Sequence, residues 1–405
     1  MHQAEDSAAA NQPATRGAAL PSALLLAIAY LGFVSIGLPD TVAGVAWPSV
    51  RDTFALPQSG FGLIFVALGC GYCASAFVGG RLMLALGIGT LLTVSSALVV
   101  AAMFGFASAP LWPWFVGCAI VWGLGSGAID TGLNAYVSAH FSAKHVNWLH
   151  ACYSLGATLG PLLMTAVIVR AESWRAGYAT VGMLILVMTI LFVFTRRAWG
   201  EPPKSTESEA AMPASMAAAL RQPLVWLQIV VFFLYVGLEF TVGQWSFTLL
   251  TESRGIHTDV AGVLAASYYG AIGVGRVLFG MIADRVGIDR LLRYATLGAL
   301  IGALVFTFAP MQVRDVGLVV IGLGLAPVFP CMMARTPSRL SAYATHAFGF
   351  QVSAGMLGAA LVPGLAGLLV EGRGLEVVAQ FAVLLAAMLF ATHELLLGIA
   401  KSSSE

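Results

Sequence analysis

Residues 223–249 read PLVWLQIVVFFLYVGLEFTVGQWSFTL, a run of 27 residues in which Glu239 is the one charged group. Residues 21–46 read PSALLLAIAYLGFVSIGLPDTVAGVA, where Asp40 stands alone in the same way. A bilayer core is about 30 Å thick and a helix rises about 1.5 Å per residue, so about 20 apolar residues cross it. Both runs therefore predict transmembrane helices, each with a single carboxyl group inside.

The two runs also resemble each other at a spacing of 200 residues. GLPDTV at 37–42 recurs as GLEFTV at 237–242. Further along, GRLMLALGIGTLL at 80–92 recurs as GMIADRVGIDRLL at 280–292, with Gly80 and Gly87 in register with Gly280 and Gly287. An internal repeat of this length predicts two similar halves that share one topology.

The composition of the 405-residue chain excludes a water-soluble protein. Hydrophobic residues make up 59% and charged residues 10%, whereas soluble domains carry about 25% charged residues. The solvent must therefore be the lipid bilayer. A net charge of +1 gives no reason to expect nucleic acid as a partner. The five cysteines all lie in apolar runs. We interpret them as packing residues and expect no disulfide framework, metal site or cofactor.

Apolar runs between charged residues give the chain its predicted organisation, an all-α membrane protein of twelve transmembrane helices. The candidate spans are 21–46, 59–80, 88–108, 112–138, 148–170, 176–195, 223–249, 259–281, 291–310, 315–334, 347–369 and 376–397. They group into an N-terminal six-helix bundle at 21–198 and a C-terminal one at 223–398. Between the bundles, 199–222 is rich in Pro, Ser, Glu and Ala and predicts a linker. Residues 1–20 and 399–405 are expected to be tails.

The basic residues predict the orientation of these spans. Of the 20 Lys and Arg residues, thirteen fall on the side of the N-terminus, six on the other side, and Arg276 lies within a span. Because basic residues are enriched in cytoplasmic loops, we expect both termini, and the linker, in the cytoplasm. The protein would then be a multi-pass protein of the cell (inner) membrane.

One loop carries a recognisable motif. Residues 280–290, GMIADRVGIDR, resemble the GxxxDRxGxR loop signature of the major facilitator superfamily, which implies a fold of two pseudo-symmetric six-helix bundles. Asp284 stands at a helix end, where it can pair with Arg285 or Arg290 and cap a neighbouring helix. We expect these three residues to gate the cytoplasmic side, or else the loop only sets the topology. Arg276 is expected to join this gate or to partner a carboxylate; the alternative is that it snorkels to the cytoplasm.

Three carboxyl groups lie well inside spans: Asp40, Asp130 and Glu239. An ionised side chain at the bilayer centre costs about 2.5–3.5 kcal/mol on insertion scales, so we expect these groups to face away from lipid. Asp130 and Asn134 are four residues apart and share a helix face. We expect the three carboxyl groups to couple transport to protons, and the alternative for each is a structural hydrogen bond to a neighbouring helix.

Polar and aromatic residues near these carboxyl groups are expected to hold a substrate. Asn147, His150 and Ser154 are spaced to form a polar stripe on one helix face, with Tyr153 beside it. Hydrogen-bonding groups beside aromatic rings suit a polyhydroxylated ligand. The expected substrate-binding residues are Asp40, Asn134, Asn147, His150, Tyr153, Glu239, Gln244, Trp245, Tyr269 and Gln351.

Four segments resemble the fucose:proton symporter group, which includes bacterial sugar permeases, within this superfamily. They are GLPDT at 37–41, DTGLN at 130–134, NWLHACYSLG at 147–156 and YVGLEFTVGQW at 235–245. The resemblance implies that Asp40 contacts substrate and that Asp130 takes up the coupling proton. The chain departs from the fucose members at His150 and Tyr153, where those members have Gln and Asn.

The resulting hypothesis is a proton-coupled symporter of a sugar or similar small polar solute, acting as a monomer by alternating access. The first alternative is a proton-driven antiporter that exports drugs or metabolites, since buried carboxylates serve both directions. The second is a non-transporting membrane sensor. No HExxH motif or nucleophile elbow is present, so an enzyme is not expected. The sequence leaves open the identity of the substrate, the direction of transport and the choice between H⁺ and Na⁺.

Overall fold

The computed structural model describes residues 22–200 and 215–402, and all regular structure in this part of the chain is helical. The side chains of five residues within these ranges are not described: Ala143, Asn147, Asp284, Lys401 and Ser402. The predicted tail 1–20, residues 201–214 of the predicted linker and residues 403–405 lie outside the described residues.

The first half consists of six long helices that run back and forth. They are α1 (Ser22–Phe54), α2 (Gly60–Leu86), α3 (Ile88–Ala107), α4 (Trp112–His140), α5 (Ala143–Ala171) and α6 (Trp174–Thr195).

The second half repeats this order after a single helical turn, α7 (Met216–Ala219). Its helices are α8 (Pro223–Thr248), α9 (Thr258–Val286), α10 (Ile288–Phe308), α11 (Val316–Leu325), α12 (Val328–Leu340), α13 (Ala344–Arg373) and α14 (Val377–Ser402). A π-helical turn, Leu249–Ser253, continues α8.

The described residues contain eleven helical runs long and apolar enough to cross a membrane. One of them, Val316–Arg373, has 58 residues and would be about 87 Å long as a single helix, nearly three times the bilayer core. It reverses after α12, where Ser341 has a φ of 34°. The pair α11–α12 therefore makes one crossing and α13 another, so the twelve predicted spans are present.

Glycines of the repeat serve the same structural purpose in both halves. Gly87 ends α2 with a φ of 77°, and Gly287 ends α9 with a φ of 85°, a backbone conformation that residues with a Cβ rarely adopt. Gly37 and Gly237 allow close packing: an added Cβ would lie 2.2 Å from the Tyr153 carbonyl oxygen and 2.6 Å from the Val362 side chain, respectively. The repeat seen in the sequence is thus a repeat of turns and helix contacts.

The two halves meet tightly at the membrane face where α1 ends and α2 begins, which we call the closed face. Glu252 of the second half accepts hydrogen bonds from Arg51 (2.8 Å) and Gln58 (3.2 Å) of the first half. Glu371 accepts one from the main-chain N–H of Ser59 at 3.0 Å. The opposite face, where α1 begins, is called the terminal face.

Gly62 allows close packing of the two halves at the closed face. A Cβ on Gly62 would lie 2.5 Å from the Cα of Gly364, whereas a Cβ on Gly80, later in the same helix, would meet nothing within 4 Å. We expect Gly62→Val to disfavour closure of this face by about 1–3 kcal/mol, or about 5- to 150-fold in the equilibrium, because overpacking costs that much.

This prediction is checked by the distance between spin labels on Asp52→Cys and Arg373→Cys, both exposed, in a variant that lacks the native cysteines. Gly62→Val should populate longer distances, and Gly80→Val should not. The same distance distribution in Gly62→Val and in its parent would contradict the packing described.

Candidate functional site

Asp130 lies near the middle of α4 and is held by two neutral donors. The Tyr72 hydroxyl donates to Oδ2 at 2.6 Å, and the Asn134 amide donates to Oδ1 at 2.9 Å. The i,i+4 contact with Asn134 is the one that the sequence spacing predicts. Tyr72 was not predicted, because it lies on α2 in a segment without a polar periodicity.

Asp40 lies on α1, where the first half meets the second. Its Oδ2 accepts a hydrogen bond from the Tyr153 hydroxyl at 2.8 Å, and its main-chain oxygen accepts one from Gln244 Nε2 at 2.7 Å. Gln244 belongs to α8 of the second half. The approach depends on Gly44, where an added Cβ would lie 2.6 Å from the Gln244 carbonyl oxygen. Two predicted residues, Tyr153 and Gln244, thus contact Asp40, one at its carboxyl group and the other at its main chain.

Glu239 is the carboxyl group of the second half, and it has a counter-ion. Arg276 of α9 places a guanidinium nitrogen 3.6 Å from Glu239 Oε1, and both side chains are largely buried. Arg276 also donates across the interface to the Ser154 hydroxyl (2.9 Å) and to the His150 carbonyl oxygen (3.3 Å), both on α5. Arg276 therefore partners a carboxylate in this structure and links the two halves.

The three carboxyl groups differ in whether a positively charged side chain lies beside them. In the part of the chain that the structure describes, no nitrogen of Lys, Arg or His lies within 4.0 Å of a carboxylate oxygen of Asp40 or Asp130, whereas Glu239 has Arg276. A buried charge without a partner is costly. Asp40, Asp130 and Glu239, with the residues that contact them, are called the central cluster. Asp40 and Asp130 are therefore its members in which uptake of a proton relieves an uncompensated negative charge.

A chain of aromatic rings crosses the interface on the terminal side of this cluster. His150 packs edge-on against Phe33 of α1 at 5.4 Å and at a tilt against Phe329 of α12 at 5.7 Å, measured between ring centroids. Phe329 in turn packs against Phe232 of α8 at 5.7 Å. Phe33 lies about two turns before Asp40 along α1, so the rings stand between Asp40 and the terminal face. The His150 ring thus bridges the halves.

Two further predicted substrate-binding residues, Tyr269 and Trp245, have defined contacts. A Cβ added to Gly243, the residue before Gln244, would lie 2.1 Å from the Tyr269 hydroxyl oxygen. Trp245 is fully buried, donates to the Pro363 carbonyl oxygen at 3.0 Å and packs on Phe61 toward the closed face.

Gln351 lies apart from this cluster. It is fully buried and hydrogen-bonded to Gln228 and Thr336, neither of which belongs to the cluster. The side chain of Asn147 lies outside the described residues.

The predicted gate motif at the terminal face contains an ion pair that the sequence did not suggest. Asp289 stands where the GxxxDRxGxR pattern has an arginine, and it pairs with Arg335 at 2.8 Å and with Arg339. Arg285 and Arg290 are exposed. The side chain of Asp284, the expected partner of both, lies outside the described residues. The observed pair connects α10 to α12 within the second half.

Removing Arg276 should leave Glu239 as an uncompensated buried charge. We expect Arg276→Gln to lower the free energy of unfolding by about 3–5 kcal/mol, the usual cost of breaking a buried pair. The double variant Arg276→Gln/Glu239→Gln should recover more than half of this loss.

Thermal unfolding in detergent measures both effects. Arg293→Gln is the matched control, since its partner Glu394 and Arg293 itself are 31% and 43% exposed, and such pairs contribute about 0–1 kcal/mol. A double variant as unstable as Arg276→Gln alone would contradict the pairing.

Comparison with known proteins gives consistent matches along most of the chain. The sequence model of the Major Facilitator Superfamily matches residues 29–363. The Bacillus subtilis glucose/mannose transporter GlcP is 19% identical over 347 residues, which cover 84% of this chain and 86% of that protein. The human sodium-dependent glucose transporter 1 is 22% identical over 377 residues, with 83% and 72% covered. The crystal structure of the nucleoside transporter NupG superimposes with a TM-score of 0.74 at 12% identity, covering 92% of this chain and 99% of that one.

Proposed function

Because the chain belongs to the Major Facilitator Superfamily, we propose that it is a proton-coupled symporter that carries a sugar or a similar small polar solute by alternating access. Family membership makes it a multi-pass membrane transporter. The relatives named as glucose transporters support a sugar or another small solute as its cargo. Proton coupling and symport rest on the chemistry of the central cluster.

The observation that carries the proposal is the setting of Asp130. Its two oxygens accept hydrogen bonds from the neutral groups of Tyr72 and Asn134, and within the described residues it has no cationic partner. Burial disfavours the charged form of a carboxyl group. Asp130 therefore takes up a proton when its surroundings close to water and releases it when they open, which is the behaviour that a coupling site needs.

Substrate is assigned to the neighbouring contacts where the halves meet. Asp40, Tyr153 and Gln244 form hydrogen bonds between α1, α5 and α8, so a solute bound there touches both halves. The proposed binding region is completed by Glu239, His150, Asn134, Asn147 and Tyr269. The bundles 21–198 and 223–398 rock about this site, which is the movement that two pseudo-symmetric halves permit.

The orientation follows from the basic residues. The sequence predicts that thirteen of the 20 Lys and Arg residues lie on the side of the N-terminus, so the terminal face and both termini are assigned to the cytoplasm of a cell-membrane protein. The closed face is then the outer one, and the protein is proposed to act as a monomer.

Replacement of Asp130 tests the coupling. In proteoliposomes with an imposed proton gradient, Asp130→Asn should reduce concentrative uptake of a hexose to background, while exchange of labelled for unlabelled hexose persists. Asp259→Asn, the same chemical change at a residue 61% exposed, serves as the control and should accumulate hexose like the parent. Undiminished accumulation by Asp130→Asn would contradict the proton role.

Sodium is the second candidate ion, because a relative that covers most of the chain is a sodium-dependent glucose transporter. The two ions are separated by imposing a sodium gradient at equal pH and a proton gradient without sodium. The proposal expects uptake in the second condition only. Uptake driven by sodium alone would show that sodium, and not the proton, is the coupling ion. Solute efflux driven by an inward proton gradient would instead indicate antiport.

A further inference from the structure

We infer that the central site accepts uncharged solutes and rejects solutes that bear a carboxylate or sulfonate. The inference rests on the proposed function only in placing the solute beside Asp40. It goes further by naming the charge class of the substrate. Three observations carry it. Arg276 is already paired, Asp40 and Asp130 have no cationic partner among the described residues, and Oδ1 of Asp40 accepts no hydrogen bond from those residues.

Arg276 is the group that an anionic substrate would need, and it is already engaged. One terminal nitrogen donates to the Ser154 hydroxyl at 2.9 Å and to the His150 carbonyl oxygen at 3.3 Å. The other faces Glu239 at 3.6 Å. A carboxylate ligand would have to displace Glu239 and leave that buried side chain, 8% exposed, without its counter-ion. Arg276 therefore acts as the counter-ion of Glu239 and not as an anion receptor.

The other charged groups of the cluster also oppose an anion. Asp40 and Asp130 are both acidic, and their donors Tyr153 and Tyr72 are neutral hydroxyls. An anionic solute beside Asp40 would add a further negative charge in a region of low dielectric constant, where like charges repel strongly. Protonation of Asp130 weakens this repulsion but supplies no positive charge.

A polyhydroxylated solute meets the opposite situation. The Oδ2 atom of Asp40 accepts from Tyr153, while Oδ1 receives no hydrogen bond from the residues that the structure describes. Solute hydroxyl groups are donors, and a hydrogen bond to a carboxylate oxygen is stronger than one between neutral groups. The same oxygen that repels a carboxylate therefore attracts the hydroxyl of a neutral sugar.

The experiment compares matched pairs of ligands that differ in charge at one position. Binding to the purified full-length protein in detergent is measured by isothermal titration for glucose, mannose and galactose and for their 6-carboxylates glucuronate, mannuronate and galacturonate. At least one hexose should bind, and its uronate should bind at least tenfold more weakly. A uronate that binds as tightly as its hexose, or no binding by any of the three hexoses, would overturn the inference.

A variant separates charge selection from a merely structural effect. Glu239→Gln releases the guanidinium of Arg276, so the ratio of uronate to hexose affinity should rise at least tenfold. Glu172→Gln is the matched control, because Glu172 is exposed and directly follows the last residue of α5. It should leave the ratio unchanged. A ratio that also stays unchanged in Glu239→Gln would overturn the role given to Arg276.

Binding selectivity and ion coupling fail independently in these measurements. Sodium-driven uptake or antiport would contradict the proposed function but would leave the ratio of hexose to uronate affinity as expected. Conversely, tight binding of a uronate would contradict the inference about charge, even if proton-driven uptake were observed.

Discussion

The arrangement of this protein depends on the cost of placing charge inside a bilayer, where each ionisable group must be paired, hydrogen-bonded or protonated. The second half meets this requirement with an ion pair, Glu239 with Arg276 at 3.6 Å. In the first half, Asp40 and Asp130 have neutral partners and no cationic one among the described residues, so their negative charge is uncompensated there. In the proposed mechanism, this difference between two otherwise similar halves gives the first half its affinity for a proton and gives the whole cluster its preference for a neutral solute.

The same groups connect chemistry to movement, because several of their contacts cross the interface between the halves. Gln244 reaches from α8 to the backbone of Asp40, and Arg276 reaches from α9 to α5. At the closed face, Glu252 and Glu371 hold donors of the first half. In the proposed transport cycle, rocking of the halves breaks the contacts at the closed face and rearranges the central ones. A solute or proton bound at the centre thus acts on hydrogen bonds that the movement changes.

Much of the fold could be predicted because lipid imposes simple rules on sequence. Uninterrupted apolar length marks the spans, and the glycine pairs 37/237 and 87/287 recur because helix packing and turns need them in both halves. Contacts within one helix, such as that of Asp130 with Asn134, follow from spacing. Contacts between helices do not, so Tyr72 beside Asp130 and Arg335 beside Asp289 had no signal in the sequence. For the same reason Gln351 was grouped with residues from which the structure separates it.

The central claim is that solute and proton move together through Asp130. It is tested most directly by external pH in a weakly buffered suspension of proteoliposomes with no ion gradient, into which the best-binding hexose is added. The account predicts alkalinisation of the medium as hexose enters, in proportion to uptake, and its absence in Asp130→Asn. Entry of hexose without any change of external pH would contradict it.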